Sequence, residues 1–202
     1  MKTLVKNIRA IDPALGLDEV CDILIDGDRI AEVGQDLSAD GAEILDRAGC
    51  IAVPGLVDIH VHLRDPGQEY KETIETGTAA AAHGGFTGIC SMPNTIPTTD
   101  NAATIDYVLD RARSAGHCRV YPSGACTMGL KGESLAEIGD MAAHGAVAFT
   151  DDGRGVQSAG MMRRVMDYAK MFNCVVMSHC QDEELVGPGP VSYTHLTLPT
   201  IR

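Results

Sequence analysis

The chain has 202 residues with 16 basic and 28 acidic side chains, a formal net charge of −12, and an apolar content of 45% that is ordinary for a globular protein. This charge argues against nucleic acid or an anionic membrane as the main partner. No window reaches the roughly 18 apolar residues of a membrane span, and the N-terminus lacks the pattern of a signal peptide. We therefore expect a soluble, cytoplasmic protein whose seven cysteines are reduced thiols.

The first fifty residues predict a small β domain. Short segments alternate apolar and polar side chains, and Asp26-Gly27 between two of them is a strong hairpin signal, because both central turn positions favour positive φ. We interpret residues 1–53 as a small antiparallel, sandwich-like β domain that is incomplete. Pro54-Gly55 marks the passage into the next domain.

From residue 56 onward, apolar strands alternate with helices, which predicts a parallel sheet with crossover helices. The predicted strands are LVDIHVH, FTGICSM, CRVYPSGAC, AVAFT and NCVVMSHC. A doubly wound sheet would need a Gly-rich phosphate turn after its first strand, and the sequence has none. We predict the α/β class and, for residues 54–190, the first half of a (β/α)8 TIM barrel with about five of its eight strands.

Polar residues stand at the ends of these strands, where (β/α)8 barrels carry their functional groups. His60 and His62 lie two apart on one strand, so they share a face and can bind one metal ion. Asp152 follows the fourth strand and His179 closes the fifth, and a carboxylate can bridge two metal ions. Taken alone, Asp-Asp-Gly is typical of a turn, and His179 could equally be a buried histidine with ordinary hydrogen-bond partners. The order of these residues along the predicted barrel favours a metal site.

Two further residues suit an anionic ligand. The guanidinium of Arg64 can hold a carboxylate, although a salt bridge to Asp65 or Glu69 is the structural alternative. Asn94 can add a neutral donor, or can be a simple turn residue. Three other histidines are predicted to be structural because they lie at helix C-termini, where the dipole favours them: His83, His117 and His144.

The motifs VDIHVHLRDPGQEYKETIETGTAAAAHGGFT, SMPNT, AFTDDGRGVQSAGMM and SHCQD resemble dihydroorotases of the amidohydrolase superfamily, over residues 1 to about 187. The combination of H-x-H with LRDPG and MPNT favours dihydroorotase over dihydropyrimidinase, hydantoinase or allantoinase. Many of those relatives use a carboxylated lysine between two metal ions, whereas Asp-Asp-Gly is similar to the zinc-dependent group that uses aspartate.

The resemblance implies two zinc ions in the intact site. His60 and His62 would bind one zinc, Asp152 would lie between the metals in preference to Asp151, and His179 would bind the second zinc. Arg64 and Asn94 would hold the substrate carboxylate. The implied reaction is the reversible hydrolysis of (S)-dihydroorotate to N-carbamoyl-L-aspartate in pyrimidine biosynthesis, through a metal-bound hydroxide. A homodimer or a complex with aspartate carbamoyltransferase is expected of the full-length protein.

The resemblance also implies that this chain is an N-terminal fragment. Members of the family supply another histidine ligand and the general acid/base aspartate from the second half of the barrel, so we expect the chain by itself to be inactive. Residues 191–202, VSYTHLTLPTIR, resemble a translated sequencing adapter and are expected to be a non-native tail. The alternatives are a non-catalytic dihydroorotase-like subunit that scaffolds aspartate carbamoyltransferase, and another cyclic amidase of the allantoinase or dihydropyrimidinase kind.

Overall fold

The computed structural model describes residues 2–186, so the segment predicted to be a non-native tail lies outside the described residues. The chain divides into two compact units, with the boundary between Gly55 and Leu56. Within the described part, no helix combines the length and the apolar character needed to cross a membrane.

The first unit is a single mixed sheet. Its strands are β1 Lys2–Asp12, β2 Leu17–Asp26, β3 Arg29–Gly34, β4 Glu43–Asp46 and β5 Ile51–Ala52. β1 pairs antiparallel with β2, but β4 and β5 pair with β1 in parallel. The expectation of an antiparallel unit is therefore wrong for β4 and β5. Alternation of apolar and polar residues predicts strands but not their direction, which here depends on how residues 35–42 cross from β3 to the other side of β1.

The hairpin forms where the sequence predicts it, between β2 and β3. Asp26 pairs with Arg29, so the central turn residues are Gly27 and Asp28. Of these two, only Gly27 has a positive φ, of 63°. The turn is therefore one residue further along than the expected central pair Asp26-Gly27, and a single glycine at its first central position is sufficient in place of two residues with positive φ.

The second unit is a curled sheet of five parallel strands in sequential order. The strands are β6 Leu56–Val61, β7 Phe86–Ser91, β8 Arg119–Gly124, β9 Ala148–Phe149 and β10 Val175–Val176. The helices are α1 Ile74–His83, α2 Ala102–Ala115, α3 Ile138–Ala143, α4 Ala159–Met171 and α5 Glu183–Val186, with a short 3-10 helix at Met128–Leu130. This architecture confirms the predicted partial (β/α)8 barrel with five of its eight strands present.

Side-chain caps start the longer helices directly after the loops that follow the strands. Thr73 and Thr76 form a reciprocal capping box at α1. Asn101 accepts a hydrogen bond from the Thr104 amide at α2, and Ser158 accepts one from Met161 at α4. The layer between sheet and helices is filled by two apolar clusters, around Phe149 and around Ile89. The packing and the caps together fix where the loops at the carboxyl end of the sheet begin and end.

The loop after β6 is packed tightly against the loop after β7. The Ile96 amide donates to the Pro66 carbonyl at 3.0 Å. Gly67 has a φ of +89°, and a Cβ at this position would lie 1.9 Å from the Ile96 carbonyl oxygen. Only glycine allows both this conformation and this close approach, so Gly67 joins the loop of Arg64 to the loop of Asn94.

We predict that Gly67→Ala destabilises the protein more than Gly85→Ala. Gly85 has a similar φ of +84° but nothing within 4 Å of the position of a Cβ, so its substitution costs only backbone strain, about 1–3 kcal/mol. Gly67→Ala has the same strain and also overlaps the Ile96 backbone, which should lower the free energy of unfolding by about 1–3 kcal/mol more. Urea unfolding of both variants measures the difference, and equal losses would contradict the packing argument.

His144 links two helices at the protein surface. It caps the C-terminus of α3, and its Nδ1 lies 2.9 Å from Oδ2 of Asp106 on α2. The hydrogen bond to Asp106, and then the attraction of that charge and of Asp140, raise the pKa of His144 above its ordinary value. The structural role predicted for this histidine thus has a specific partner.

We predict a pH-dependent contribution of His144 to stability. A raised folded-state pKa means that the contribution is fully present below the unfolded-state pKa of about 6.5 and is lost as the pH rises through the folded-state value. The free energy of unfolding of His144→Gln should therefore fall below that of the unmodified chain at low pH and approach it at high pH. Asp106→Asn should reproduce this profile, and a pH-independent difference would exclude the ion pair as its cause.

Candidate metal centre

The predicted site residues all lie at the carboxyl end of the parallel sheet. His60 is in β6 and His62 directly follows it, Asn94 follows β7, Asp152 follows β9, and His179 follows β10. Parallel strands in sequential order bring these ends to one edge, which is where (β/α)8 proteins carry their functional groups. Strands β9 and β10 are only two residues long, so Asp152 and His179 lie in the loops beyond them.

The Asp152 carboxylate is the centre of this group. Its side chain is only 5% exposed. Oδ1 lies 3.2 Å from His60 Nε2 and 3.3 Å from His179 Nδ1, while Oδ2 lies 3.5 Å from His62 Nε2. Oδ2 also accepts a hydrogen bond of 2.9 Å from Asn94 Nδ2. One buried carboxylate thus meets three imidazoles and an amide that arrive from three other strands.

These donor atoms fit a divalent metal ion. Atoms of His60, His62 and Asp152 all lie within 4.8 Å of one another. Tetrahedral coordination with bonds of about 2.0–2.2 Å places neighbouring ligand atoms about 3.4 Å apart. The nitrogen–oxygen distances of 3.2–3.5 Å match this spacing, whereas N–H···O hydrogen bonds are mostly about 2.7–3.2 Å long. His179 is outside the compact group of three but approaches the same carboxylate.

The neighbouring aspartate has a different environment. Asp151 is buried, and its carboxylate accepts hydrogen bonds from the Cys126 amide at 2.8 Å, the Thr127 amide at 3.0 Å and the Thr127 hydroxyl. Burial raises the pKa of Asp151, and the hydrogen bonds from Thr127 and Cys126 oppose this shift. Asp151 therefore anchors the start of the loop to residues 126–127, and Asp152 meets the histidines.

Arg64 and Asn94 differ in what they contact. Among the described residues, the Arg64 guanidinium makes no hydrogen bond or ion pair, and the alternative salt bridge to Asp65 or Glu69 is not formed. Arg64 itself has a positive φ of 61°. Asn94, in contrast, is bonded within the metal group, since its Oδ1 lies 3.0 Å from His62 Nδ1. Asn94 thus contacts two candidate ligands, whereas Arg64 has no acidic partner among the described residues.

Sequence reasoning missed the support beneath the Arg64 loop. Asp65 is 2% exposed, accepts a hydrogen bond of 2.8 Å from the Tyr107 hydroxyl, and lies 3.9 Å from Arg111 Nε. Desolvation, and then the hydrogen bond to Asp65, raise the pKa of Tyr107. No pattern in the sequence signals a pairing of residues that are 42 positions apart. Asp58 accepts a hydrogen bond from the His60 amide at 3.0 Å and so supports the end of β6, which carries His60.

Comparison with known proteins agrees with this geometry. A family model described as dihydro-orotase-like matches residues 49–197. The dihydroorotase of Syntrophotalea carbinolica is 58% identical over 94% of this chain and 44% of its own length. The dihydroorotase of Geobacter sulfurreducens is 52% identical over 94% of this chain and 45% of its own length.

Solved structures place the fold in the same group. The L-hydantoinase (dihydropyrimidinase) from Arthrobacter aurescens superimposes with a TM-score of 0.79 at 25% identity, covering 91% of this chain and 42% of that one. Fold and site thus define a TIM-barrel protein of the amidohydrolase type. Within this class, the chain belongs to the dihydro-orotase-like family, as the sequence resemblance indicated. It spans just under half the length of the curated relatives that it matches.

We predict that substitution of Asp152 mainly weakens metal binding, whereas substitution of Asp151 mainly lowers the stability of the fold. Asp152→Asn should lower metal affinity about 100-fold or more, because it removes the anionic ligand. Asp151→Asn should instead lower the free energy of unfolding by about 2–4 kcal/mol, because an amide nitrogen would face buried donors. Metal titration and urea unfolding of both variants test this, and a reversed pattern would assign the ligand to Asp151.

Proposed function

We propose that this chain supplies the first half of the active site of a dihydroorotase, which interconverts (S)-dihydroorotate and N-carbamoyl-L-aspartate in the whole protein. The observation that carries the proposal is the buried Asp152 carboxylate among His60, His62 and His179. Relatives named dihydroorotase at 46–58% identity support the choice of substrate.

Two zinc ions are the proposed occupants of the intact site. His60 and His62 would hold one, His179 the other, and Asp152 would lie between them. The three imidazoles around one carboxylate support Asp152 as the shared ligand. The division of the histidines between the two ions follows from the family resemblance, because His60 and His179 both approach Oδ1 and His62 approaches Oδ2. Bound metal would supply an activated water and would polarise the scissile amide carbonyl.

Arg64 is the proposed partner of the substrate carboxylate. Its side chain follows His62 by two residues, and no described acidic group neutralises it. A guanidinium fork binds a carboxylate through two parallel hydrogen bonds, which orients the ring as well as holding it. Asn94 would add a neutral donor to the same carboxylate. The proposal thus favours a ring that carries an acid group.

Proton transfer is assigned to the part of the whole protein that this chain does not contain. Asp152 is surrounded by the proposed ligands, and Asp151 is bonded to residues 126–127. Asp182 and Glu183 follow His179 too closely to take the place of a general acid/base aspartate. We therefore propose that the 202-residue chain is inactive by itself. Association with aspartate carbamoyltransferase or with a second copy remains a prediction for the whole protein.

A second candidate is another cyclic amidase, because the hydantoinase from Arthrobacter aurescens shares the fold at 25% identity. The Asp152 position and the uncompensated Arg64 favour dihydroorotate over rings that lack a carboxylate. A scaffold subunit without catalysis is distinguished by its metal content, since it has no need of an occupied centre.

We predict that a chimera of residues 1–186 and the C-terminal half of the Syntrophotalea carbinolica dihydroorotase hydrolyses dihydroorotate and loses this activity with a chelator. Arg64→Gln in the chimera should raise KM for dihydroorotate about 10–100-fold, the worth of a hydrogen bond to a charged group. It should leave turnover of dihydrouracil, which has no carboxylate, unchanged. Arg163→Gln, on the exposed face of α4, is the matched control for loss of charge.

Three results would overturn the proposal. Preference for dihydrouracil or hydantoin together with an unaffected Arg64→Gln variant would indicate another cyclic amidase. A folded chimera that binds no metal would favour the scaffold. Chelator-sensitive turnover by the 202-residue chain alone would contradict the assignment of proton transfer to the other half.

A further inference from the structure

We infer that Asn94 is a positioning residue for the metal centre, whose amide selects the tautomer of His62 and orients the Asp152 carboxylate. The inference rests on the proposed function, since it concerns how the proposed ligands are prepared. It assigns to Asn94 a role different from holding the substrate, which the family resemblance implies. The carrying observation is that one side chain bonds two candidate ligands from different strands.

The chemistry of the partners fixes the orientation of the amide. An ionised carboxylate only accepts hydrogen bonds, so the group that faces Asp152 Oδ2 at 2.9 Å must be the amide nitrogen. The amide oxygen then faces His62 Nδ1 at 3.0 Å. Because that oxygen only accepts, Nδ1 of His62 must carry the proton. In the neutral ring this leaves the lone pair on Nε2.

This tautomer prepares His62 to bind a cation. Nε2 lies 3.5 Å from Asp152 Oδ2, so a nitrogen lone pair and a carboxylate oxygen are neighbours. Two acceptors at this distance are stabilised by a cation between them, either a proton on the ring or a metal ion. Without the Asn94 oxygen, no described acceptor holds the proton at Nδ1 of His62, so the proton can move to Nε2 and face Asp152.

The loop around Asn94 is itself firmly held. The Asn94 carbonyl accepts a hydrogen bond from Gln68 Nε2 at 3.2 Å. Thr95 Oγ1 donates to the Pro97 carbonyl at 2.7 Å, and the Thr99 amide donates to the Pro93 carbonyl at 3.0 Å. A positioning residue needs such support, because it orients other groups only as well as its own backbone is fixed.

A substrate contact remains compatible with this role. The amide nitrogen has two N–H donors, and the bond to Asp152 uses one of them. The second donor remains for a substrate carboxylate. The positioning role and the substrate-contact role both predict weaker substrate binding when Asn94 is replaced. Only the positioning role predicts weaker metal binding, so metal affinity is the quantity to measure.

The first test is the Zn²⁺ affinity of the 202-residue chain, measured by competition with a chromophoric chelator. Asn94→Ala should weaken Zn²⁺ binding about 10–100-fold, the usual effect of removing a partner that orients metal ligands. Arg163→Ala, on the exposed face of α4, is the control and should show no loss. Asp152→Asn provides the reference for loss of a ligand. Equal Zn²⁺ affinity of Asn94→Ala and the unmodified chain would overturn the inference.

The second test needs no metal. Long-range proton–nitrogen NMR of the metal-free chain, at a pH where the ring is neutral, should show His62 protonated at Nδ1. Asn94→Ala should shift His62 towards the Nε2-protonated tautomer. A tautomer unaffected by Asn94→Ala would overturn the assignment even if affinity fell through general loosening.

The two tests separate this inference from the proposed function. An unmodified chain that binds no Zn²⁺ would count against the proposed metal centre, and the tautomer comparison would still decide what Asn94 does. A chain that binds Zn²⁺ through Asp152 but is unaffected by Asn94→Ala in both measurements would retain the proposed function and refute the positioning role.

Discussion

The centre of the half-barrel depends on one buried negative charge, the carboxylate of Asp152. A carboxylate that is 5% exposed is costly unless its oxygens are compensated. Here an amide hydrogen bond and three imidazole nitrogens surround it. The nitrogen–oxygen distances of 3.2–3.5 Å match the spacing of neighbouring ligands on a metal ion. The local electrostatics therefore favour a cation at this carboxylate, and the group of His60, His62 and Asp152 could hold a metal ion.

The rest of the second unit holds that carboxylate in place. Hydrogen bonds from the Cys126 and Thr127 amides hold Asp151, the residue before Asp152, to the loop after β8, so the chain enters Asp152 in one orientation. Close contact between Gly67 and Ile96 joins the loops that carry Arg64 and Asn94. Each support involves residues from different strand-to-helix units. Ligand geometry is thus a property of the packed edge of the sheet and not of any single motif.

The chain belongs to the dihydro-orotase-like family and carries the candidate ligands of its site. It spans about 44–45% of relatives such as those from Syntrophotalea carbinolica and Geobacter sulfurreducens, and within that span it carries His60, His62, Asp152 and His179. Hydantoinase-type structures share the fold, which shows that the barrel alone does not select the substrate. Selection is proposed to come from rim residues, of which Arg64 is the clearest because the described chain leaves its charge uncompensated.

The sequence by itself determined the order of strands and helices, the parallel sheet, the family, and the positions at which polar residues leave the strands. These are local properties, since side-chain periodicity and short motifs report which face or end of an element a residue occupies. The resemblance already favoured Asp152 over Asp151 as the residue that meets the histidines. Only the tertiary structure decided that Asn94 bonds both His62 and Asp152, which are 32 and 58 residues away from it along the chain, and that His144 pairs with Asp106. It likewise decided the parallel pairing of β4 and β5 with β1. Such contacts depend on how loops and helices pack after the sheet has curled, and alternation or spacing along the chain contains no record of that packing.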